Sequence, residues 1–237
     1  MEGLIHSIQT LGAVDGPGVR FVAFVQGCPL RCGYCHNPDA QPLTGGQAYT
    51  PQALFALASR YRSYFGREGG VTLSGGEPLL QAPFAQAFFA LCREGGIHTA
   101  LDTSGCRLDG PVRGLLDETD LVLLDIKFTI EADYQRYAGC SLAAPLRFLD
   151  ELTARNIPCW IRQVIVPTLN DDEGNIARLN ALLAGHPNVR KVELLPFRKL
   201  CQTKYDALGL PFPFGHLPEA VPDKVAKLQE KVLLPHK

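Results

Sequence analysis

The stretch Gly70–Gly105, GVTLSGGEPLLQAPFAQAFFALCREGGIHTALDTSG, decides the fold. Gly70–Ser74 is short and apolar with β-branched Val71 and Thr72, which suits a buried strand. Ala82–Gly96 carries apolar residues at helical spacing and ends on Gly95-Gly96, a pair suited to a helix C-cap. Ile97–Thr103 reads as a second strand. A strand, a helix and a strand in so short a span form a βαβ unit, whose crossover is right-handed and whose strands run parallel.

The same alternation extends along the chain. Arg20–Gln26 (RFVAFVQ), Leu121–Ile126 (LVLLDI), Cys159–Val166 (CWIRQVIV) and Val189–Leu195 (VRKVELL) are further strands. Most are nearly continuous apolar runs, as expected for parallel strands covered by helices. Thr50 is placed to cap a helix that opens on Pro51, and Pro145–Asn156 and Asp171–His186 repeat the helical period. Six β-then-α units are too few for a closed eight-stranded barrel. The expected fold class is therefore α/β, an incomplete, open (β/α)6 TIM-like barrel, with a doubly wound open sheet as the competing arrangement. No linker rich in Pro, Gly or Ser separates two regimes, so residues 1–237 read as a single domain. Gly209–Pro222 is Pro-rich and is expected as a loop packed across the barrel, ahead of a helix in Asp223–Leu234.

Composition narrows the function classes. Hydrophobic residues make up 46% and charged residues 20%, which is the balance of an ordinary globular chain. A formal net charge of -1 provides no basic footprint for nucleic acid. The N-terminus lacks a basic n-region and an apolar h-region, and no apolar run reaches the roughly 20 residues of a membrane span. The expected location is the cytoplasm, with no membrane partner. Eight cysteines in a reducing compartment read as thiols, metal ligands or catalytic groups before disulfides.

Three of these thiols are bunched in GCPLRCGYCHNP (Gly27–Pro38), on the loop directly after the first predicted strand. Structural zinc would need His36, His6 or a distant cysteine as a fourth ligand beside Cys28, Cys32 and Cys35, and His36 adjoins Cys35 too closely to serve without strain. Inert packing fits poorly with a polar, glycine-interrupted loop. A four-iron cluster suits the donor set better: three thiolates bind three irons and leave the fourth open to a small molecule. Zinc and inert thiols remain the alternatives.

Chemistry in a barrel collects at the C-terminal ends of the strands, the end that carries this loop. Ser74–Pro78 (SGGEP), Asp102–Gly105 (DTSG) and Asp125–Lys127 (DIK) all fall there. Gly75 and Gly76 permit close backbone approach, and Glu77 offers a carboxylate; the plain alternative is a tight strand-to-helix turn. Asp102, Thr103 and Asp125 are oxygen donors for a hard cation or ligand hydroxyls, or else helix caps. Lys127 is a partner for a carboxylate or a solvated lysine.

Cys28, Cys32 and Cys35, with Tyr34 before the third cysteine, resemble the C-x₃-C-x-aromatic-C signature of the radical S-adenosylmethionine superfamily. The resemblance implies a [4Fe-4S] cluster whose open iron is chelated by S-adenosylmethionine, and cleavage of the sulfonium bond to a 5′-deoxyadenosyl radical. It places Tyr34, Cys35, His36, Gly76, Glu77, Asp125, Ile126 and Lys127 against S-adenosylmethionine, and implies a monovalent cation at the aspartates with Thr103. The stretches VDGPGVRFVAFVQGCPLRCGYCHNP, GGVTLSGGEPLLQ, GIHTALDTSG, DLVLLDIK, WIRQVIVP and VELLPF occur in the order seen in pyruvate formate-lyase activating enzymes. That family implies a glycyl radical enzyme as protein substrate, pyruvate formate-lyase first, and flavodoxin or ferredoxin as electron donor. The path from Cys35 to Gly75 lacks the cysteine-rich insert of many other activases. Activation of another glycyl radical enzyme, such as the anaerobic ribonucleotide reductase, chemistry on a small molecule, and a zinc-stabilised binding module are the competing functions.

Asp15 and Arg162 match family positions near the substrate peptide or the active-site mouth; their plain alternatives are a turn-forming aspartate and an ion-pair arginine. Two positions depart from the family: Arg198 stands where a histidine near the adenosine is usual, and Cys201 replaces a common glycine. An arginine stacks and hydrogen-bonds but does not titrate near neutral pH. Replacement Cys32→Ala is expected to abolish reductive cleavage of S-adenosylmethionine with the barrel still folded. Deoxyadenosine production retained by that variant would remove the three-thiolate reading.

Overall fold

A computed structural model of the chain describes residues 1–235. The elements run β1 (Gly3–Gly12), β2 (Arg20–Val25), β3 (Gln47–Tyr49), α1 (Pro51–Ser59), β4 (Gly70–Gly75), α2 (Ala82–Glu94), β5 (His98–Thr103), α3 (Gly110–Asp117) and β6 (Leu121–Asp125). They continue through α4 (Glu131–Ala138), α5 (Ala143–Ala154), β7 (Cys159–Ile165), α6 (Glu173–Leu183), β8 (Val189–Pro196), α7 (Gln202–Leu208) and α8 (Pro222–Gln229). The sheet order is β3-β1-β2-β4-β5-β6-β7-β8. From β2 onward this is simply chain order, whereas a doubly wound sheet reverses its order at a switch point. The fold is the open (β/α) type. β2 with β4, β4 with β5, and β7 with β8 pair in parallel.

All six expected strands are present, with ends within one residue of those read from the sequence. β1 and β3 were not expected: both are antiparallel, β1 against β2 and β3 against β1. β1 buries only Gly3, Ile5 and Gly12 and leaves the residues between them half-buried or exposed, and β3 is three residues long, so neither has the continuous apolar run of a parallel strand. The helix from Pro51 stops at Ser59, and a separate 3₁₀ turn covers Arg62–Tyr64. The Thr50 hydroxyl accepts from the Ala53 N–H, which makes it the expected N-cap.

Two compact units divide the chain, the first comprising Met1–Pro29 with Ala40–Leu123 and the second Leu30–Asp39 with the chain from Leu124 onward. In the first, Phe84, Phe88, Phe89 and Cys92 of α2 and Leu54 and Ala58 of α1 are fully or almost fully buried, as are Phe21, Val71, Leu73 and Leu101 of the strands. Each of these phenylalanines contributes about 2–3 kcal/mol by leaving water. In the second, Phe148, Leu149 and Leu152 of α5 and Ile176, Leu179 and Leu183 of α6 are buried along with Ile161, Ile165 and Val189 of the strands.

The first unit also buries a whole arginine. Arg20 has no exposed surface and donates to the Thr72 hydroxyl at 3.0 Å and to the Val71 carbonyl. Burial lowers its pKa to about 10, offset in part by Asp120 and Asp15, so it stays charged at neutral pH. His98 lies 3.2 Å from the guanidinium. Burial first and this positive charge second lower the His98 pKa, so the folded state holds it neutral while the unfolded state takes a proton. Stability from this source is present above the ordinary histidine pKa of about 6.5 and is lost as pH falls below it. Urea unfolding at pH 7.5 and 5.5 is expected to show this loss, reduced in His98→Gln. Arg20→Ala is expected to cost about 3 kcal/mol at pH 7.5, because the Thr72 hydroxyl and the Glu68, Val71 and His98 carbonyls lose a buried donor, and less at pH 5.5, where His98 no longer meets its charge.

Candidate active site

In the first unit, the end of β2 and the start of the cysteine loop are held by main-chain bonds, Gly27 N–H to Ala40 at 2.8 Å and Cys28 N–H to Gln41 at 3.1 Å. Against this end packs the turn that closes β4. Gly76 N–H donates to Val25 and Glu77 N–H to Gly27, at 2.9 and 2.8 Å. Gly75 has φ +100°, and a Cβ on Gly76 would stand 2.2 Å from the Gly27 carbonyl oxygen. Both glycines are therefore required by geometry, one for its dihedral and the other for the close approach.

Glu77 is 1% exposed, and its carboxylate is fully engaged within the unit. One oxygen accepts from the Leu79 N–H at 3.1 Å and the Thr103 hydroxyl at 2.5 Å. The other accepts from the Ser104 N–H at 3.0 Å and from the Ser104 hydroxyl. Glu77 caps the 3₁₀ turn Pro78–Gln81. The Thr103 hydroxyl, expected as an oxygen donor to a cation, instead donates to Glu77 and accepts from the Gly105 N–H at 3.1 Å. Asp102 accepts from the Ser74 hydroxyl at 2.8 Å.

Asp15 is not brought to this end. Its carbonyl accepts from the Thr72 hydroxyl at 2.8 Å, the same hydroxyl that Arg20 reaches at the start of β2. Thr72 stands beside Val22 in the β2–β4 register, so three residue steps of β2 at about 3.3 Å each, roughly 10 Å, separate that level from the strand's far end at Val25. The cause is the β1–β2 hairpin, which turns at the strand starts while the cysteine loop leaves from the strand end.

The second unit holds Cys32, Tyr34, Cys35 and His36 with the residues that follow β6. Lys127 Nζ lies 2.8 Å from Asp125 Oδ2 and 5.9 Å from the centre of the Tyr34 ring. Burial alone would lower the Lys127 pKa, but Asp125, Cys32 and Tyr34 hold it well above the ordinary lysine value. The Cys32 thiol is pushed up to about 11 by burial, with Lys127 pulling the other way. A metal held by this thiol would have to displace that proton. Tyr34 is buried, packed 6.1 Å from Phe128 and 6.0 Å from Phe214 between ring centres. Lys127 is thus a carboxylate partner, and the solvated alternative is excluded.

Ile126 N–H donates to the Arg162 carbonyl at 3.0 Å, and Arg162 Nε reaches Glu193 at 3.2 Å. His36 Nε2 donates to the Arg198 carbonyl at 3.1 Å. The Arg198 side chain turns to Glu219 at 3.3 Å. Cys201 is 3% exposed, and burial raises its pKa, the Cys35 thiol adding to the rise. Among the described residues no cysteine is disulfide-bonded. Ser104, Ser74 and Glu219 are residues of the site to which the sequence assigned no role; Ser74 and Ser104 lie inside the SGGEP and DTSG stretches, whereas Glu219 had no sequence signal.

By donor type, the three thiols of the Cys28–Cys35 loop suit an iron–sulfur cluster; within the second unit the largely buried Lys127–Asp125 pair stands beside Tyr34. Residues 22–179 match the profile of the Radical SAM superfamily. The chain is 45% identical over 232 residues to the pyruvate formate-lyase-activating enzyme of Clostridium pasteurianum, covering 98% of this chain and 97% of that one. It is 43% identical over 210 residues to the pyruvate formate-lyase 1-activating enzyme of Escherichia coli, covering 87% and 85%.

The chain belongs to the radical SAM superfamily, among the pyruvate formate-lyase-activating enzymes.

Its fold resembles that of a domain of the activating enzyme from Bacteroides vulgatus, with TM-score 0.58 and 24% identity over 69% of this chain and 92% of that one. It also resembles SuiB of Streptococcus suis, solved with S-adenosylmethionine, with TM-score 0.60 and 14% identity over 71% of this chain and 38% of that one. Members of this superfamily work with a [4Fe-4S] cluster and S-adenosylmethionine, and the thiol set here suits both. Gly76→Ala is expected to lower iron and sulfide content after anaerobic reconstitution and to cost a few kcal/mol of stability, because the added Cβ must push the turn away from Gly27. Wild-type iron content and stability in that variant would show that the close packing is dispensable.

Proposed function

We propose that this enzyme installs a glycyl radical on pyruvate formate-lyase, with residues 1–237, the last two outside the described residues, working as one radical SAM domain. The observation that carries this reading is the near-full-length identity with enzymes named for that activation. When bound, the cluster and S-adenosylmethionine supply the one-electron chemistry that takes a hydrogen atom from a glycine α-carbon. The chain's own residues bind, orient and shield.

Cys28, Cys32 and Cys35 would hold the cluster by three thiolates. Tyr34, Gly76, Asp102, Asp125, Ile126 and Lys127 would orient S-adenosylmethionine, Lys127 by holding the Asp125 carboxylate at 2.8 Å in a largely buried setting. Thr103 would serve a monovalent cation only through atoms other than the hydroxyl that Glu77 takes. His36 and Arg198 would act as one element, tied ring to carbonyl. Arg162, fixed by Glu193, would meet the substrate peptide near the ligand; Asp15 would meet it only through a part that reaches the strand starts. No side chain is needed as acid or base.

An acidic redox protein, flavodoxin or ferredoxin, is the proposed donor. A cavity of about 320 Å³ in the second unit supports it, lined by Gly33, Arg31, Arg136, Tyr137, Phe214 and His216. Gly33 adjoins Cys32, and the arginines suit an acidic surface. Among the described residues no helix is long and apolar enough to cross a membrane; the proposed location is the cytoplasm.

The test is electron paramagnetic resonance on anaerobic, reduced protein incubated with S-adenosylmethionine and pyruvate formate-lyase. A glycyl radical signal is expected; its absence, with the signal on another glycyl radical enzyme, would overturn the target. Arg136→Glu is expected to slow reduction by flavodoxin about tenfold at low salt and to leave reduction by dithionite unchanged. Equal slowing with both reductants would reject the docking surface.

A further inference from the structure

We propose that Ser104 is a positioning residue for S-adenosylmethionine, acting through Glu77, and that Glu77 serves the ligand by fixing the Gly75–Gly76 turn and not by offering its own oxygens. The inference rests on the radical SAM reading above and deepens it.

A carboxylate has about four lone-pair sites, and all four on Glu77 are matched by donors from Leu79, Thr103 and Ser104. Its side chain has almost no surface left to meet a ligand. An ammonium group contacting it would have to break a buried bond and leave an N–H or O–H without an acceptor, a trade that a preorganised site does not make. The motif reading of Glu77 as a direct acceptor therefore conflicts with its packing.

Glu77 instead connects two strand ends. Its side chain grips the end of β5 through Thr103 and both donors of Ser104. Its main chain grips the end of β2 at the Gly27 carbonyl, the residue before Cys28. Gly76 has no room to shift toward Gly27. The turn's shape is set from both sides, and Ser104 supplies half of the side-chain bonds that set it. A serine that satisfies two of the four sites of a buried carboxylate, with its own side chain only 7% exposed, has no other partner role visible in the unit.

The test uses the full chain with Ser104→Ala, Glu77→Gln and the double variant, reconstituted anaerobically. The dissociation constant of S-adenosylmethionine is read from the change it causes in the reduced cluster's resonance. Ser104→Ala and Glu77→Gln are each expected to weaken binding about tenfold, and the double variant no more than the worse single, because both cut the same link. Iron content is expected to match wild type. Ser104→Thr, which keeps the hydroxyl, is expected to restore most of the affinity. Ser104→Ala binding within twofold of wild type while Glu77→Gln loses tenfold would show direct contact by the Glu77 oxygens and overturn the proposal, as would losses that multiply in the double variant. In the protein without cluster, amide exchange at Ser104 and Leu79 is expected to quicken about tenfold in Glu77→Gln; unchanged exchange overturns the brace. That arm stands even if the wild-type resonance ignores S-adenosylmethionine, a result that would instead remove the proposed function.

Discussion

The Gly27 carbonyl is the point on which the first half of the site turns. It accepts the Glu77 N–H at 2.8 Å, and it stands so near residue 76 that a single carbon added there would overlap it. Two loops from adjacent parallel strands are thereby pressed together, one opening the cysteine segment and the other opening α2. Main-chain contact at this range transmits position with little slack, since no flexible side chain intervenes. Glu77 extends the constraint sideways to β5 through a buried, fully satisfied carboxylate, the kind of polar network that rigidifies when every member has a partner.

The second unit uses charge where the first uses close packing. Lys127 is largely buried, and an ammonium in such a place is tolerable only beside an anion. Asp125 supplies that charge two residues earlier on the same chain segment, and the Tyr34 ring offers its face. Lys127 partly counters the burial that keeps the Cys32 thiol protonated, while Asp125 works the other way. Aromatic packing holds the segment: Phe214 meets Tyr34, Tyr137 and Phe197, and its N–H reaches the Gly33 carbonyl at 3.2 Å. A side chain at residue 33 would collide with the Phe214 ring, so the glycine between Cys32 and Tyr34 is a packing requirement.

The six parallel-type strands were legible because strands covered on both faces must be apolar throughout, and few other structures impose that pattern. β1 was illegible for the complementary reason: only Gly3, Ile5 and Gly12 are buried, and the stretch between Ile5 and Gly12 carries His6, Ser7, Gln9 and Thr10, so its hydrophobicity is spread thin. α3 places Val112, Leu115 and Leu116 on one buried face but spans only eight residues, three of them Gly110, Pro111 and Gly114, and α4 is short and largely polar, so both signals are briefer than that of the 13-residue α2. The glycine pair of the GGE turn was legible as a close approach. The partner it approaches was not, since Gly27 lies far away in sequence.

The sequence by itself determined the donor set and the six strands of the parallel series, though not β1 and β3: thiol spacing constrains what a loop can hold, and hydrophobic period reports burial locally. It also located the polar groups at strand ends, because barrel topology converts order along the chain into position around a mouth. Only the tertiary structure decided what those groups bond to. Glu77 and Thr103, read as ligand contacts, spend their hydrogen bonds on each other and on Ser104. The Arg198 guanidinium goes to Glu219, and Asp15 lies at the strand starts. Residue type limits which bonds a side chain can make, but the choice among them depends on neighbours that folding supplies.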